Sequence, residues 1–346
     1  MSNIIVILLV ALSFGLLVLG HEFGHFIVAK INGVKVEEFA IGMGPQIFKI
    51  KGTETVYSIR LLPIGGFVKM LGEYEGSEEE IPEDEKERTY THKHPLRKIT
   101  IVLAGPIMNF ILAFIIFMGL NMFKGYSSTV IKEVVDNSPA QSAGVQVGDK
   151  LITINGKKFL NWNDFVFKLQ TSENKDNINI TVLRNNQEVN LNIKPKVENN
   201  SILIGIKPEF IDKPNFFQSI SMGFKETLME IKQIIWSLAQ LITGKANFKD
   251  LGGPITIFKV SGQAAKSGIS SLLNFTAFLS INLGVFNLIP FPALDGGAFI
   301  VNLIEFISKK RIKQDTLSKI NFVGFVVLIL LMIVITVKDI FFPINL

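Results

Sequence analysis

Four long apolar stretches limit what this chain can fold into more than any other feature of its sequence. Residues 4–20, 99–123 and 272–294 contain no charged residue, and residues 322–337 are almost entirely aliphatic and aromatic. An α-helix rises about 1.5 Å per residue, so about 20 such residues cross the roughly 30 Å hydrocarbon core of a bilayer. The sequence therefore predicts a polytopic α-helical membrane protein with four transmembrane helices.

The intervals between these stretches predict the remaining organisation. The first stretch lacks the basic leader of a cleaved signal peptide, so we expect it to be retained as a helix. The predicted segments are a first transmembrane helix at 1–30, a cytoplasmic or membrane-embedded β region at 31–98, a second transmembrane helix at 99–123, a β-rich domain at 127–208, an amphipathic helix at 214–244, a third, interrupted transmembrane helix at 269–308 and a fourth at 318–342.

Two polar intervals have the alternation and turn residues typical of strands. The first ends in an acidic run at residues 73–87, which we expect to be a solvated loop. Its strands are predicted at residues 37–40, 46–50, 54–60 and 67–71. The second interval is the β-rich domain, with strands predicted at 130–135, 150–155, 177–183 and 188–193 and a short helix at 162–169.

After the β-rich domain, apolar residues recur at helical spacing. The charged residues between them are Lys225, Glu226, Glu230 and Lys232. This pattern indicates an amphipathic helix that lies either on the membrane or on the rest of the protein. Its apolar positions are Phe217, Ile220, Phe224, Leu228, Ile231, Ile235, Leu238 and Ile242.

Composition excludes several classes of function. The formal net charge of +5 is small and the basic residues are dispersed, which argues against nucleic acid as a partner. The chain has no cysteine, so disulfides, cysteine-ligated zinc and thiol catalysis are excluded.

Basic residues in short loops predict the orientation in the membrane. Lys309, Lys310, Arg311 and Lys313 fall between the last two predicted spans, so we expect that loop to be cytoplasmic. With four spans, the region 31–98 is then cytoplasmic too. The β-rich domain and both termini are expected outside.

The end of the first apolar stretch contains the pattern His21-Glu22-Phe23-Gly24-His25. Residues four apart share one face of a helix, so both imidazoles can reach one metal ion and Glu22 can act on its water. Such a pattern also arises by chance. However, the chain has four histidines in all, and ionisable groups at this depth in an apolar segment usually mark function. We therefore predict His21 and His25 as metal ligands and Glu22 as the catalytic base.

Catalytic zinc usually has three protein ligands, and the candidate for the third is Asp295. Pro290 and Pro292 must interrupt the third span just before it, since proline lacks the backbone donor. Irregular backbone inside a bilayer is tolerated only where it is buried in protein or lines a cavity. Asp295 is either the cap of a second half-helix that begins at Gly296, or a metal ligand, or both.

The two metal motifs together resemble the site-2 protease family, in its bacterial RseP-type branch. The resemblance covers nearly the whole chain, and several glycine motifs support it. It implies one zinc ion held by His21, His25 and Asp295, with Glu22 catalytic. It also implies that Asn287 helps to hold the substrate, and that a membrane-embedded β-hairpin including Gly65 and Gly66 pairs with an unwound substrate helix. The supporting motifs are Gly42-x-Gly44-Pro45, Pro63-x-Gly65-Gly66-Phe67-Val68, Gly105-Pro106-x-x-Asn109 and Gly252-Gly253-Pro254-Ile255.

The β-rich domain resembles a single PDZ domain, through segments such as Asn137-Ser138-Pro139-Ala140 and Val147-Gly148-Asp149. This likeness implies that a peptide terminus binds near Ile204, Gly205 and Ile206.

Two classes of function follow. The first is an intramembrane metalloendopeptidase of a bacterial inner membrane, which cleaves single-pass membrane proteins already shortened by another protease, such as anti-sigma factors or remnant signal peptides. The second is an inactive membrane scaffold whose PDZ domain binds peptide. The presence of Glu22, both histidines and Asp295 favours the enzyme. A zinc transporter ranks last because residues 322–336 offer few polar side chains.

Overall fold

The computed structural model describes residues 3–73, 81–198, 201–246 and 252–343. The helices are α1 (Asn3–Ile31), α2 (Pro95–Lys124), α3 (Pro139–Ser142), α4 (Trp162–Gln170), α5 (Phe216–Ile242), α6 (Pro254–Ser267), α7 (Ile269–Asn287), α8 (Asp295–Ser308) and α9 (Gln314–Phe341). The strands are β1 (Val36–Lys51), β2 (Val56–Met70), β3 (Tyr126–Val134), β4 (Lys150–Ile154), β5 (Lys157–Lys158), β6 (Ile178–Arg184), β7 (Gln187–Ile193), β8 (Lys196–Glu198), β9 (Ser201–Leu203) and β10 (Ile206–Ile211).

Four of the described helices are long and apolar enough to cross a membrane, namely α1, α2, α7 and α9. This confirms the predicted fold class of a four-span helical membrane protein with an inserted β-rich region. The chain divides into two compact units, one of Met1–Ala113 with Ile231–Leu346 and the other of Phe114–Glu230.

In the first unit, α1 and α2 approach each other closely at Gly24. A β-carbon at this position would lie 2.3 Å from the carbonyl oxygen of Ala104, so only glycine permits this spacing. Small residues at helix crossings are typical of membrane proteins, where close packing rather than water drives association. The crossing brings the pattern His21–His25 against α2.

The hairpin of β1 and β2 is folded so that the first half of β1 pairs with β2 on both of its sides. Glu38 pairs with both Lys69 and Val56, and further along the hairpin Gln46 pairs with Arg60. The first half of β1 therefore lies between the two halves of β2, which makes a four-stranded sheet. Residues 62–70 form one edge of this sheet, and residues 46–51 form the other.

The second unit contains a sheet of strand order β10-β3-β4-β6-β7, with β5 paired to β4. Its apolar core includes Ile131, Phe165 and Ile180, all at most 1% exposed. The side chain of Asn161 caps α4 by accepting a hydrogen bond from the backbone N–H of Asp164. Arg184 donates to Asp149 at 2.8 Å, and although burial of Asp149 opposes the effect, this ion pair holds the pKa of its carboxyl below the usual value.

The amphipathic helix α5 exposes part of its apolar surface. Phe217 and Phe224 are 78% and 56% exposed, whereas Ser219 and Thr227 are buried. A helix that buries polar groups and exposes aromatic ones is suited to lipid rather than to water.

Helix α6 was not predicted from the sequence, and the fourth span holds its N-terminus. Asp339 of α9 accepts hydrogen bonds from the backbone N–H groups of Gly253 at 3.2 Å and Thr256 at 3.0 Å. These are donors that the first turn of a helix leaves unpaired. Asp339 thus caps α6 from a neighbouring helix, which gives a buried charge in an apolar span a structural role.

Replacing Asp339 by leucine is expected to lower the free energy of unfolding in detergent by about 1–3 kcal/mol, because two buried N–H groups lose their acceptor. Denaturant titration of the purified protein measures this loss. Asp339→Asn keeps one acceptor oxygen and should cost less; an equal loss in both variants would contradict the capping role.

Candidate metal centre

Three side chains from two distant parts of the chain converge in the first unit. Nε2 of His21 and Nε2 of His25 lie 3.2 Å apart. Oδ2 of Asp295 lies 3.2 Å from the first nitrogen and 3.4 Å from the second. Among the described residues, the ligand atoms of this cluster all lie within 4.8 Å of one another, which allows them to hold one metal ion.

The geometry of these atoms fits a small divalent cation. A triangle with these sides has its centre about 1.9 Å from each corner, close to the roughly 2.0–2.2 Å of zinc bonds to nitrogen and oxygen. Nδ1 of His25 lies 2.9 Å from the carbonyl oxygen of Ile101 and must carry the proton to bond it. Its Nε2 then has a free lone pair. Oδ2 of Asp295 is buried without a hydrogen-bond partner. One divalent cation would satisfy all three atoms at once.

Two features of α1 and α2 bring the histidines together. The four-residue spacing in α1 places both imidazoles on one face. Opposite them, Gly105 of α2 leaves room, since a β-carbon there would lie 2.3 Å from Nε2 of His25 and 2.8 Å from Cε1 of His21. The Gly105-Pro106 motif of the sequence thus has a steric reason.

The histidines are supported from behind by α2. The side-chain amide of Asn109 lies 3.1 Å from Nδ1 of His21, and Asn109 is fully buried. Ser280 of α7 donates to the backbone oxygen of Asn109 at 2.8 Å. The amide nitrogen of Asn109 is the atom that faces Nδ1, and its Oδ1 is buried without a partner. Turning the amide by 180° lets Oδ1 accept from Nδ1–H, and both histidines then present Nε2 to a metal. The sequence identifies Asn109 only as part of the motif Gly105-Pro106-x-x-Asn109. An asparagine within an apolar span is the signal that could have indicated its role.

Asp295 follows a break between two helices. Helix α7 ends at Asn287, α8 begins at Asp295, and residues 288–294, the presenting loop, contain Pro290 and Pro292. The expectation that Asp295 caps the second half-helix is wrong. The N-cap position is Leu294, and no side chain caps this helix. The carboxylate points to the histidines instead.

Other predicted residues lie beside this cluster. The amide nitrogen of Asn287 is 3.3 Å from Nε2 of His21. Gly65 has φ +82°, and a β-carbon on Gly66 would lie 3.1 Å from Cγ of Glu22. The structure thus brings Gly66 next to the proposed base.

A cavity of about 510 Å³ opens at the cluster. It is bounded by Phe67, Val68 and Met70 on the edge of the hairpin sheet. It also reaches Glu305 near the end of α8 and Gln314 at the start of α9, on either side of the basic loop at residues 309–313. The cavity has room for an extended peptide segment next to the candidate ligands.

The acidic run at residues 73–87 was expected to be a solvated loop, but its first residue is partly buried. Glu73 lines the cavity, and burial raises the pKa of its carboxyl to about 7. Residues 74–80 lie outside the described residues. Further on, Glu85 is paired with Lys35 at 2.6 Å.

The predicted peptide-binding residues Ile204, Gly205 and Ile206 belong to the second unit. They lie at the start of β10, where Gly205 has φ +82° and its carbonyl accepts from the backbone N–H of Val135 at 2.9 Å. Ile204 is 4% exposed, so its side chain contributes to the core.

Known proteins resemble this chain along nearly its whole length. The profile of peptidase family M50 matches residues 9–331. A protein of Clostridium perfringens is 44% identical over 98% of this chain and 99% of its own length. The zinc metalloprotease RasP of Bacillus licheniformis is 34% identical over 98% of this chain and 99% of its own. The regulator of sigma-W protease RasP of Bacillus subtilis is 33% identical over 94% of this chain and 96% of its own length.

Among solved structures, the PDZ domain of an SdrC-like protein of Listeria innocua matches with 20% identity and a TM-score of 0.22. It covers 25% of this chain and 99% of that domain.

Replacing Asp295 by alanine is expected to abolish stoichiometric zinc binding, because two histidines alone leave the site short of a ligand. Elemental analysis of the purified protein measures zinc per chain. Asp315→Ala is the matched control, since Asp315 is an exposed acid that pairs with Lys319. Unchanged zinc in Asp295→Ala would remove this residue from the ligand set.

Replacing Asn109 by leucine is expected to weaken zinc affinity by roughly 10–100-fold, the usual effect of losing the partner that orients a ligand histidine. Competition with a chromophoric chelator measures the dissociation constant. An affinity equal to that of the unmodified protein would contradict the orienting role of Asn109.

Proposed function

This chain belongs to peptidase family M50, and we propose that it is a zinc endopeptidase that cleaves the transmembrane segments of single-pass membrane proteins. The observation that carries the proposal is the convergence of His21, His25 and Asp295 beside apolar helices long enough to span a bilayer. Zinc is the metal that best suits two nitrogens and one carboxylate oxygen in a catalytic site.

The catalytic roles follow from where the side chains lie. Zinc, when bound, would polarise a peptide carbonyl and lower the pKa of its bound water, so that this water can lose a proton and attack at neutral pH. Glu22 lines the cavity beside both histidines and acts as the general base. It takes the proton of the attacking water and passes it to the departing amine nitrogen.

Asn287 and the hairpin hold the substrate. The amide of Asn287 lies next to Nε2 of His21, so it can donate a hydrogen bond to a carbonyl oxygen near the scissile bond. A helix shields its peptide bonds, and a transmembrane segment must unwind before it is cleaved. The edge strand 62–70, with Gly65 and Gly66, offers backbone groups to the unwound segment and so satisfies its hydrogen bonds inside the membrane.

The outward surface of the hairpin supports its proposed place in the membrane. Ile47, Phe48, Ile59 and Leu61 are all about half exposed or more. Exposed apolar residues on both strands of a sheet suit lipid better than water. The hairpin therefore meets an entering substrate helix from within the bilayer.

The substrates we propose are regulators of the anti-sigma-factor type or remnant signal peptides, shortened first by another protease. A relative of this chain is named a regulator of sigma-W protease. The β-rich domain would bind a peptide terminus at the start of β10, next to Ile204, Gly205 and Ile206, by adding a strand to the free edge of its sheet.

The site faces the cytoplasm in the orientation that we propose, in a bacterial inner membrane. The basic loop at residues 309–313 joins α8 to α9, and the catalytic cavity extends to residues on either side of this loop. The cavity is therefore on the side of the membrane that this loop occupies. The β-rich domain and both termini lie outside.

Replacing Glu22 by glutamine is expected to retain zinc and to stop cleavage, because the amide cannot accept the proton of the attacking water. The measurement is cleavage of a co-expressed single-pass model substrate, followed by mass spectrometry of the accumulated membrane fragments. Glu54→Gln is the matched control, since Glu54 pairs with Lys30 and Arg88 away from the cavity lining.

Retained cleavage in Glu22→Gln would remove this residue from the mechanism. Absence of cleavage in both the unmodified protein and Glu22→Gln, with a peptide bound to the β-rich domain, would instead favour the inactive scaffold.

A further inference from the structure

One stripe of the fourth span faces the catalytic cavity. Gln314, Leu317, Ser318 and Asn321 line it and recur at the spacing of one helical face. Most other side chains of α9 are exposed, as suits a helix surrounded by lipid. The three polar residues of this stripe require a reason, because polar groups in a span are costly unless they bond to a partner.

Asn321 has such a partner in the presenting loop. Its Oδ1 accepts a hydrogen bond from the backbone N–H of Ala293 at 3.2 Å. Ala293 is two residues before the proposed ligand Asp295. The backbone conformation at Ala293 therefore helps to set where the carboxylate lies.

The backbone of Ala293 is strained. Its φ is +69°, a left-handed conformation that side chains other than glycine and asparagine rarely adopt. Such conformations persist only where the surrounding structure holds them, and they cluster at functional sites. The bond to Asn321 is made at this residue, where the loop turns into α8.

The same face of α9 also packs tightly on the loop. Gly324 follows Asn321 by three residues, and a β-carbon on it would lie 2.6 Å from Cβ and from the backbone oxygen of Pro292. Gly324 is buried although its neighbours in the helix are exposed. Contact at Pro292 and a hydrogen bond at Ala293 fix two successive residues of the loop.

We propose that Asn321 is a positioning residue for the metal centre, which holds Ala293 in its strained conformation so that Asp295 reaches the histidines. This inference rests on the proposed function, because it takes Asp295 as a zinc ligand. It assigns the fourth span a role in metal binding, although this span supplies no ligand to the cluster.

Asn321→Leu tests the proposal, since leucine has a similar volume and no acceptor. We expect the dissociation constant for zinc, measured by chelator competition on the full-length protein in detergent, to rise about tenfold, as for other residues that orient a ligand. The absorption spectrum of the Co²⁺-substituted protein should also change, because the third ligand shifts.

Asn282→Leu is the matched control. It makes the same change in the spanning helix α7, where the amide of Asn282 donates to the carbonyl of Phe278 in its own helix at 2.8 Å. This variant should bind zinc like the unmodified protein. An equal loss of zinc affinity in Asn282→Leu and Asn321→Leu would overturn the proposal, because it would then reflect a general loss of stability of the membrane helices.

Ala293→Gly provides a rescue. Glycine adopts positive φ without strain, so the loop needs less support from α9. The double variant Asn321→Leu with Ala293→Gly should recover most of the lost zinc affinity. An affinity that stays as low as in Asn321→Leu alone would overturn the proposal.

The outcome for Asp295→Ala separates this inference from the proposed function. Loss of zinc in Asp295→Ala together with normal zinc affinity in Asn321→Leu would overturn only the role of Asn321. Full zinc content in Asp295→Ala would overturn the ligand assignment, and with it both proposals.

Discussion

The structure depends on holding three lone-pair donors about 3.3 Å apart inside apolar protein. Nε2 of His21, Nε2 of His25 and Oδ2 of Asp295 face the same point, where one divalent cation would bind all three. The close crossing of α1 and α2 at Gly24, the space at Gly105 and the break between α7 and α8 all serve this convergence. The chain belongs to peptidase family M50, and a zinc ion held there would supply the chemistry of a metallopeptidase.

Polar side chains in the membrane helices connect one helix to another. Asn109 orients a histidine of α1 from α2, and Asp339 of α9 caps α6. Lys98 of α2 and Glu305 of α8 form a buried ion pair at 3.4 Å. Each group is satisfied by a partner in another element, as expected where lipid offers none. Removing one member of such a pair takes a partner from a buried polar group.

The sequence predicted those parts of the site that depend on local spacing. His21, Glu22 and His25 follow from a helix repeat, and Asp295 was marked by the prolines that break its span. The support of these ligands could not be predicted. Asn109 and Asn321 act on residues far away in the chain, and no periodicity connects them. The double pairing of β1 and the helix α6 were missed for the same reason, since each is defined by a partner from another segment.

By itself, the sequence determined the number of membrane spans and the two motifs that can bind metal. Those properties follow from the length of apolar runs and from the 3.6-residue turn of a helix, and both are local. Only the tertiary structure decided that the carboxylate of Asp295 reaches both imidazoles rather than capping α8, and that the fourth span holds the strained residue behind it. Those facts depend on how separate helices pack, because the atoms concerned come from opposite ends of the chain.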